Sequence, residues 1–509
     1  MTKHLTAISF ISRAIPVVVL AIGLRTASAE TRIVLDDADS GRVFEGIGAI
    51  SQGGTSRNMV DYPEKQKSEI LDYMFKPKFG ANLPHFKVEI GGGENGTCGS
   101  EPTHTLTREE LANPVPRGFE FWLMAEARKR SPQVLLDCLP WSYPKNYIRS
   151  RITKTEVWCM LSGIYPGIGY SGVGLMEAQT PWSGYYEVWP ATWTTAHTTQ
   201  FADPGWRYMD QACAKIDPAT WGGSYVTLRN PKTGDWSMIV CADKPVTLDV
   251  MVAGKLAKGD VHVWKSNEKI QFVEEKPLHL ANSAFTVSLE GNSVYTLSTT
   301  TGQKKGAHPV PPPAADFPLP YKEDFESYTA GVIPKYLCDQ KGSFETAKHA
   351  DGKGLCLKQI VPKEGIAWGC PGGVPYTVFG DKLWTDYTIQ ADVLVTGGKV
   401  GIGGRFLYGQ FLGWDFVLQQ DGSWSVHAPH VANGQESVKS LATGKITDFT
   451  PEQWHHLAVS LKGEDMLVTV DGKEVTRVKY EGYANRKCGM AYLLSSYDPT
   501  CLDKLSVTP

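Results

Sequence analysis

Phe44-Glu45-Gly46-Ile47-Gly48-Ala49 reads as a short buried strand opening into a Gly-rich loop, and the residues after it repeat the unit. Pro63 to Phe75 predicts a helix, with Pro at its first turn and Ile70, Leu71 and Met74 on one face. Phe86-Lys87-Val88-Glu89-Ile90 predicts a second strand running into Gly91-Gly92-Gly93. Gly118 to Arg130 predicts a second helix, and Val134-Leu135-Leu136 the start of a third strand. This βαβα rhythm predicts a parallel sheet, most simply the first units of a (β/α)8 TIM-type barrel.

Beyond about Gly222 the rhythm changes. Tyr225–Leu228, Ser237–Val240, Thr247–Val250, Val261–Trp264 and Val294–Leu297 are short strands split by turns such as Thr233-Gly234-Asp235, which predicts a small antiparallel sandwich. Ile33-Val34-Leu35 is expected to pair into it. Gly302 to Pro320 contains Pro311-Pro312-Pro313 and reads as an extended linker. From Tyr321 to Pro509 longer strands return, among them Tyr387–Val393, Trp454–Val459 and Met466–Val470. The last ends in Asp471-Gly472, a hairpin signal, and the whole stretch fits a jelly-roll lectin-like domain.

Composition narrows the function. With a net charge of −3 and 21% charged residues, the chain offers no basic surface for nucleic acid. Its 15 Trp supply indole faces on which the C–H face of a sugar packs. Lys3, His4 and Arg13 precede an apolar run from Ile15 to Leu24 and then Ala27-Ser28-Ala29. That is the pattern of a secretory signal cleaved before Glu30, too short for a membrane span, and no other segment has spanning length. A secreted or otherwise extracytoplasmic protein is expected, in periplasm, medium or lysosome according to the host. The 10 Cys include no CxxC pair, which argues against a zinc site.

The chain resembles the galactocerebrosidase (galactosylceramidase) glycoside hydrolase family. The resemblance rests on Phe44–Ala49, Ile70-Leu71-Asp72-Tyr73-Met74-Phe75-Lys76-Pro77, Lys87-Val88-Glu89-Ile90-Gly91-Gly92, Leu139-Pro140-Trp141-Ser142, Pro181–Tyr186, Ala196–Phe201 and Gly222–Val226. It implies a signal peptide at 1–29, an N-terminal strand at 30–43 and a barrel at 44–205. A β-sandwich at 206–300, a linker at 301–320 and a lectin-like domain at 321–509 follow. It also implies retaining hydrolysis of the β-galactosyl bond of galactosylceramide-type glycosphingolipids, without a redox cofactor. In animal hosts a saposin-like helper would lift the lipid from its membrane.

Retention needs two carboxyl groups about 5–5.5 Å apart. In the family the acid/base Glu follows the fourth barrel strand and the nucleophile ends the seventh, and neither strand is found here. Asn146-Tyr147-Ile148 and Thr153–Trp158 resemble the helix before the last strand, so the text jumps near Pro144-Lys145. Phe44 to Phe201 spans 158 residues, whereas a complete barrel takes roughly 250. Asn267-Glu268 lies between two sandwich strands and reads as a hairpin tip. Glu89, ending the second strand, and Glu177, in the expected last strand, are the remaining catalytic candidates; Glu156 is expected on the preceding helix.

By the same resemblance Thr97, Trp141, Trp158, Tyr170 and Trp368 are substrate contacts, while the family's Arg contact from the sandwich has no counterpart. Asp324 and Asp503 match ligands of a structural calcium ion, although two oxygens fall short of the six to eight that Ca²⁺ takes. The expected protein is therefore a family member lacking both catalytic carboxylates. The alternatives are a non-catalytic galactoside- or glycolipid-binding protein, and a gene model of an active enzyme that has lost a coding segment.

Overall fold

The computed structural model describes residues 31–90, 95–96, 110, 117–140, 155–166, 168, 172–217, 222–350, 352–362, 366–367, 374–407, 413–432, 435–479, 487–498 and 500–509. The head of the molecule is a parallel sheet of four strands in the order Leu135–Pro140, His85–Ile90, Ile47–Ser51, Thr155–Trp158. The pleat sends alternate side chains to opposite faces. Phe86 and Val88, with Ala49, pack into a core shared with Leu71, Met74 and Phe75 of the Glu64–Phe75 helix and Leu123 of the Glu120–Arg130 helix. That second helix carries Glu120 in its first turn and Arg128, Lys129 and Arg130 in its last, signs that complement the helix dipole.

The opposite face is polar and partly open. Lys87 bridges Glu156 at 2.6 Å and Asp137 at 3.9 Å. Leu135 and Leu139, on the face of Asp137, are 51% and 37% exposed. Leu135–Pro140 and Thr155–Trp158 are the two edges of this sheet among the described residues.

Two expectations change here. Glu156 lies on a strand, not a helix, because Thr155–Trp158 pairs in parallel with residues 47–50 of the Ile47–Ser51 strand. Glu177 does not belong to this sheet. Its strand, Met176–Thr180, pairs with Leu161–Ser162 and Tyr185–Val188 in a separate three-stranded sheet.

The middle of the chain forms two facing sheets. Thr31–Leu35 pairs in parallel with Val246–Val252, which pairs with Ala284–Leu289. Seven further strands, with Trp236–Ala242 and Ser293–Ser298 central, make the second sheet. Ile33, Leu35, Trp236, Met238, Leu248, Val250 and Leu297 fill the space between. The Pro309–Pro320 stretch and the residues before it form a strap over the head rather than a free spacer. The Gly306 amide donates to the Phe79 carbonyl at 2.6 Å, the His308 amide to Tyr73 Oη at 3.0 Å, and Trp182 Nε1 to the Ala315 carbonyl at 2.7 Å.

The C-terminal lectin-like domain is a sandwich of an eight-stranded and a seven-stranded sheet enclosing one large apolar core. Its Asp471-Gly472 turn has φ of 51° and 75°, the pair of positive values that a two-residue hairpin requires. The core extends into the head through Ile164, Tyr165 and Ile168. Among the described residues no helix is long and apolar enough to cross a membrane.

Candidate functional site

In a parallel βα sheet the C-terminal strand ends gather the loops that do chemistry. Here those ends place Ser51-Gln52, Glu89-Ile90 and Cys159 together with the start of the Glu120–Arg130 helix. The chain leaving the first strand turns at once into a 3-10 helix, Gly53–Asp61, and Thr55, Ser56, Arg57, Asn58 and Asp61 on it are buried. Thr55 and Asn58 bond to Gly163 of the head, while Arg57 and Asp61 reach the lectin-like domain.

The seam between the two is ionic. Arg57 and Asp61, each with a 4% exposed side chain, pair at 3.0 Å. Arg57 Nη2 also donates to the Pro334 carbonyl at 2.7 Å, and Asp61 accepts from the Tyr336 amide at 2.9 Å. Arg117 pairs with Glu345 of the lectin-like domain and with Glu110, both at 2.9 Å. Tyr165 Oη donates to the Tyr336 carbonyl at 2.6 Å, and Ile366–Ala367 pairs in parallel with Asn95–Gly96.

Burial raises four carboxyls along this seam, Glu120, Asp339, Asp61 and Glu345, the last against its pairing with Arg117. Burial pushes Glu120 up to about 8; the nearby Glu89 carboxylate adds to this and Arg57 opposes it. Burial pushes Asp339 up to about 7, against the amide of Phe344 that donates to it at 2.8 Å. Asp61 is raised as well, since burial outweighs Arg57. Ser51 Oγ and Ser56 Oγ are buried without a hydrogen-bond partner. The site thus combines buried carboxyls, two buried serine hydroxyls and the buried guanidiniums of Arg57 and Arg117, an array for hydrogen-bonding a polar ligand or for locking two domains together.

Of the residues singled out in the sequence, Glu89 is buried one position from the end of its strand. Glu177 is half-buried in the other sheet, opposite Glu187, and burial followed by that like charge raises its pKa. The structure does not bring the two onto neighbouring strands. Trp158 ends the Thr155–Trp158 strand opposite Ile50, its side chain lying outside the described residues. Thr97, Trp141, Tyr170 and Trp368 also lie outside the described residues. Asn267 Oδ1 accepts from the amides of Lys269 and Ile270 at 2.8 and 3.0 Å, so Asn267-Glu268 is a turn.

Asp324 accepts from the Glu326 amide at 3.2 Å, and Asp503 from the Lys504 amide at 2.7 Å with His349 Nε2 3.6 Å away. Among the described residues no group of three or more His, Cys, Asp or Glu is placed to hold a metal. Arg57, Asp61, Glu120 and Asp339 escape sequence reading because a buried charge carries no periodic signal. Only the i, i+4 spacing of Arg57 and Asp61 hints at a pair.

A parallel βα sheet joined to a β-sandwich and a lectin-like sandwich makes this a multidomain α/β and all-β protein. The Glycosyl hydrolase family 59 model matches residues 44–146 and 144–200, and the galactocerebrosidase C-terminal lectin domain model matches 339–508. The chain belongs to the galactocerebrosidase family of glycosyl hydrolases. Galactocerebrosidase of Mus musculus is 28% identical over 628 positions, covering 88% of this chain and 90% of that protein. That of Homo sapiens is 28% identical over 610 positions, covering 84% and 87%. Among solved structures, the catalytic domain of GH30 xylanase C from Talaromyces cellulolyticus aligns with 53% of this chain and 100% of that one, at 11% identity and a TM-score of 0.37.

Two details of these matches concern the stretch around residue 145. The two pieces of the family 59 match meet and overlap at 144–146. Since 88% of 509 residues is about 448, about 180 of the 628 positions aligned with the mouse protein have no residue in this chain.

Proposed function

We propose that this chain is a galactoside-binding family member whose barrel lacks its fourth to seventh strands and which does not perform retaining hydrolysis. The strand order of the head carries this reading. The order Leu135–Pro140, His85–Ile90, Ile47–Ser51, Thr155–Trp158 is third, second, first, last, the arc left when a closed eight-stranded ring loses the strands between third and last. The 14 residues 141–154 join its two edges. By resemblance to the family, the acid/base Glu and the nucleophile Glu belong to the lost arc.

Retaining chemistry needs its two carboxyls about 5–5.5 Å apart across the scissile bond. Glu89 and Glu177 sit in different sheets, which argues against them as a replacement pair. Thr97, Trp141, Trp158, Tyr170 and Trp368 would supply the sugar contacts of the remaining half-site. The ligand class is a β-galactoside or galactosylated glycolipid, met outside the cytoplasm, with a saposin-like helper in an animal host.

The test is hydrolysis of a fluorogenic β-galactoside by the purified chain, beside Glu89→Gln, Glu177→Gln and Glu120→Gln. The expected result is no turnover by any of them. Turnover abolished by one of these changes would sink the reading and reveal a substitute carboxylate. A second reading, a coding segment lost from an active enzyme's gene model, is favoured by the overlap of the two family matches at 144–146. Sequencing the transcript across codons 140–155 decides between them.

A further inference from the structure

A cavity of about 170 Å³ opens on the seven-stranded lectin-like sheet. Its size is that of one six-membered ring, since a cavity of roughly 150 Å³ accommodates benzene. Val374, Val417 and Leu494 give it apolar walls, and Lys399, Asp415 and His427 give it a polar side. Gly401 keeps the floor flat: a Cβ there would lie 3.1 Å from Leu494 Cδ1 and 3.2 Å from Val417 Cγ2, the side chains that form the walls.

The polar side is built rather than incidental. Asp415 is 3% exposed; its Oδ1 takes His427 Nδ1 at 2.7 Å and its Oδ2 takes Tyr492 Oη at 3.0 Å. Tyr492 Oη in turn accepts from the Gly413 amide at 3.1 Å. Both carboxylate oxygens are therefore engaged from within, and the bond to Nδ1 leaves Nε2 as the free ring nitrogen of His427. Its hydrogen bond raises the His427 pKa, against burial and against Lys399. Among the described residues Lys399 has no carboxylate partner. A lysine and a histidine thus line one small cavity that supplies a single carboxylate, already committed to the histidine.

We propose that this cavity is a binding site for a single pyranose ring carrying one negative charge, a uronate or a sulfated sugar. The anion sits between Lys399 and His427, and the C–H face of the ring lies on Val417 and Leu494. The site is independent of the galactoside reading of the head, and each can fail without the other.

Titration calorimetry on the full chain, near pH 6, tests it with galacturonate, galactose 6-sulfate, galactose and inorganic sulfate. At least one acidic sugar is expected to bind at least ten times tighter than galactose and than sulfate alone. Lys399→Met and His427→Gln should each weaken it at least tenfold. Val438→Glu, which adds a negative charge at an exposed position on the cavity rim, should do the same without touching the core. Bound ligand should raise amide protection along Trp414–Gln419 and Ser423–Ala432, which places binding on this face. Equal binding of galactose, equal binding of free sulfate, binding unchanged in all three variants, or no binding of either acidic sugar to the folded chain would each overturn the proposal.

Discussion

Replacing Arg57 by Met should release the lectin-like domain from the head. The Arg57 side chain is as long as a Met side chain up to its guanidinium, so Arg57→Met keeps most of the packing and removes the charge and its donors. Two charge-assisted contacts go: the 3.0 Å pair with Asp61 and the 2.7 Å bond to the Pro334 carbonyl. Each such bond is worth about 1.5–3 kcal/mol. The Asp61 carboxyl then stays buried with only the Tyr336 amide to face it. Breaking a buried ion pair by removing one partner costs about 3–5 kcal/mol, within the roughly 3–6 kcal/mol of the two bonds together.

At about 1.4 kcal/mol per tenfold change, amide protection across the seam should fall by roughly a hundred- to a few thousand-fold. Hydrogen exchange read by mass spectrometry on segments 53–61 and 334–346 measures this, with the sandwich strand Trp236–Ala242 as an unaffected reference. The double variant Arg57→Met/Asp61→Asn should recover at least half of the loss, because Asn still accepts the Tyr336 amide and carries no charge. A fall below threefold in Arg57→Met, or a double variant worse than the single, would refute the reasoning.

Two further outcomes follow from titrating groups. Glu120 and Asp339, raised to about 8 and about 7 from usual values of 4.5 and 3.8, are protonated in the fold at pH values where the unfolded chain is ionised. Their contribution is fully present below pH 4 and is lost as pH rises toward 8, so seam protection should be higher at pH 5 than at pH 8; Glu120→Gln with Asp339→Asn should flatten that difference, and an unchanged slope would exclude both groups. His197, buried between the head and the sandwich with Thr296 Oγ1 and Ser266 Oγ both at 2.8 Å, is pushed down to about 3 from 6.5 by burial. Its contribution has the opposite sign, present above pH 6.5 and lost toward pH 3, so acid should loosen the Pro190–Thr199 helix first, and His197→Gln should remove that part of the acid sensitivity in the same exchange experiment.

How far the sequence reads depends on how local the cause is. Asp471-Gly472 announces its hairpin because the two residues tolerate the positive φ the turn demands. Ile33-Val34-Leu35 announces a strand by β-branched content, and the structure pairs Thr31–Leu35 with Val246–Val252. Thr155-Glu156-Val157-Trp158 was the opposite case. Four residues give no period to separate helix from strand, and parallel pairing with Ile47–Ser51 decides it from outside the segment. The ionic seam is less legible still: Arg57 and Asp61 resemble surface charges until Pro334, Tyr336 and Asp339, over 270 residues away in the chain, close over them.

The placement of these ties bears on why an incomplete barrel holds a shape. The loop after the first strand carries Arg57 and Asp61 to the lectin-like domain, and Asn95–Gly96 after the second pairs with Ile366–Ala367. Arg117, ahead of the helix that leads to the third strand, reaches Glu345. Tyr165, just after the Leu161–Ser162 strand, bonds Tyr336, and the Pro190–Thr199 helix is pinned to the sandwich through His197. Several strand–loop units of the head are therefore held by another domain as well as by their sheet neighbours. On the proposal that strands four to seven are gone, what remains has external support that an isolated arc of four strands would lack. The cost is concentrated at the outer edges, where Leu135 and Leu139 face solvent and the Leu135–Pro140 strand has a neighbour on one side alone among the described residues.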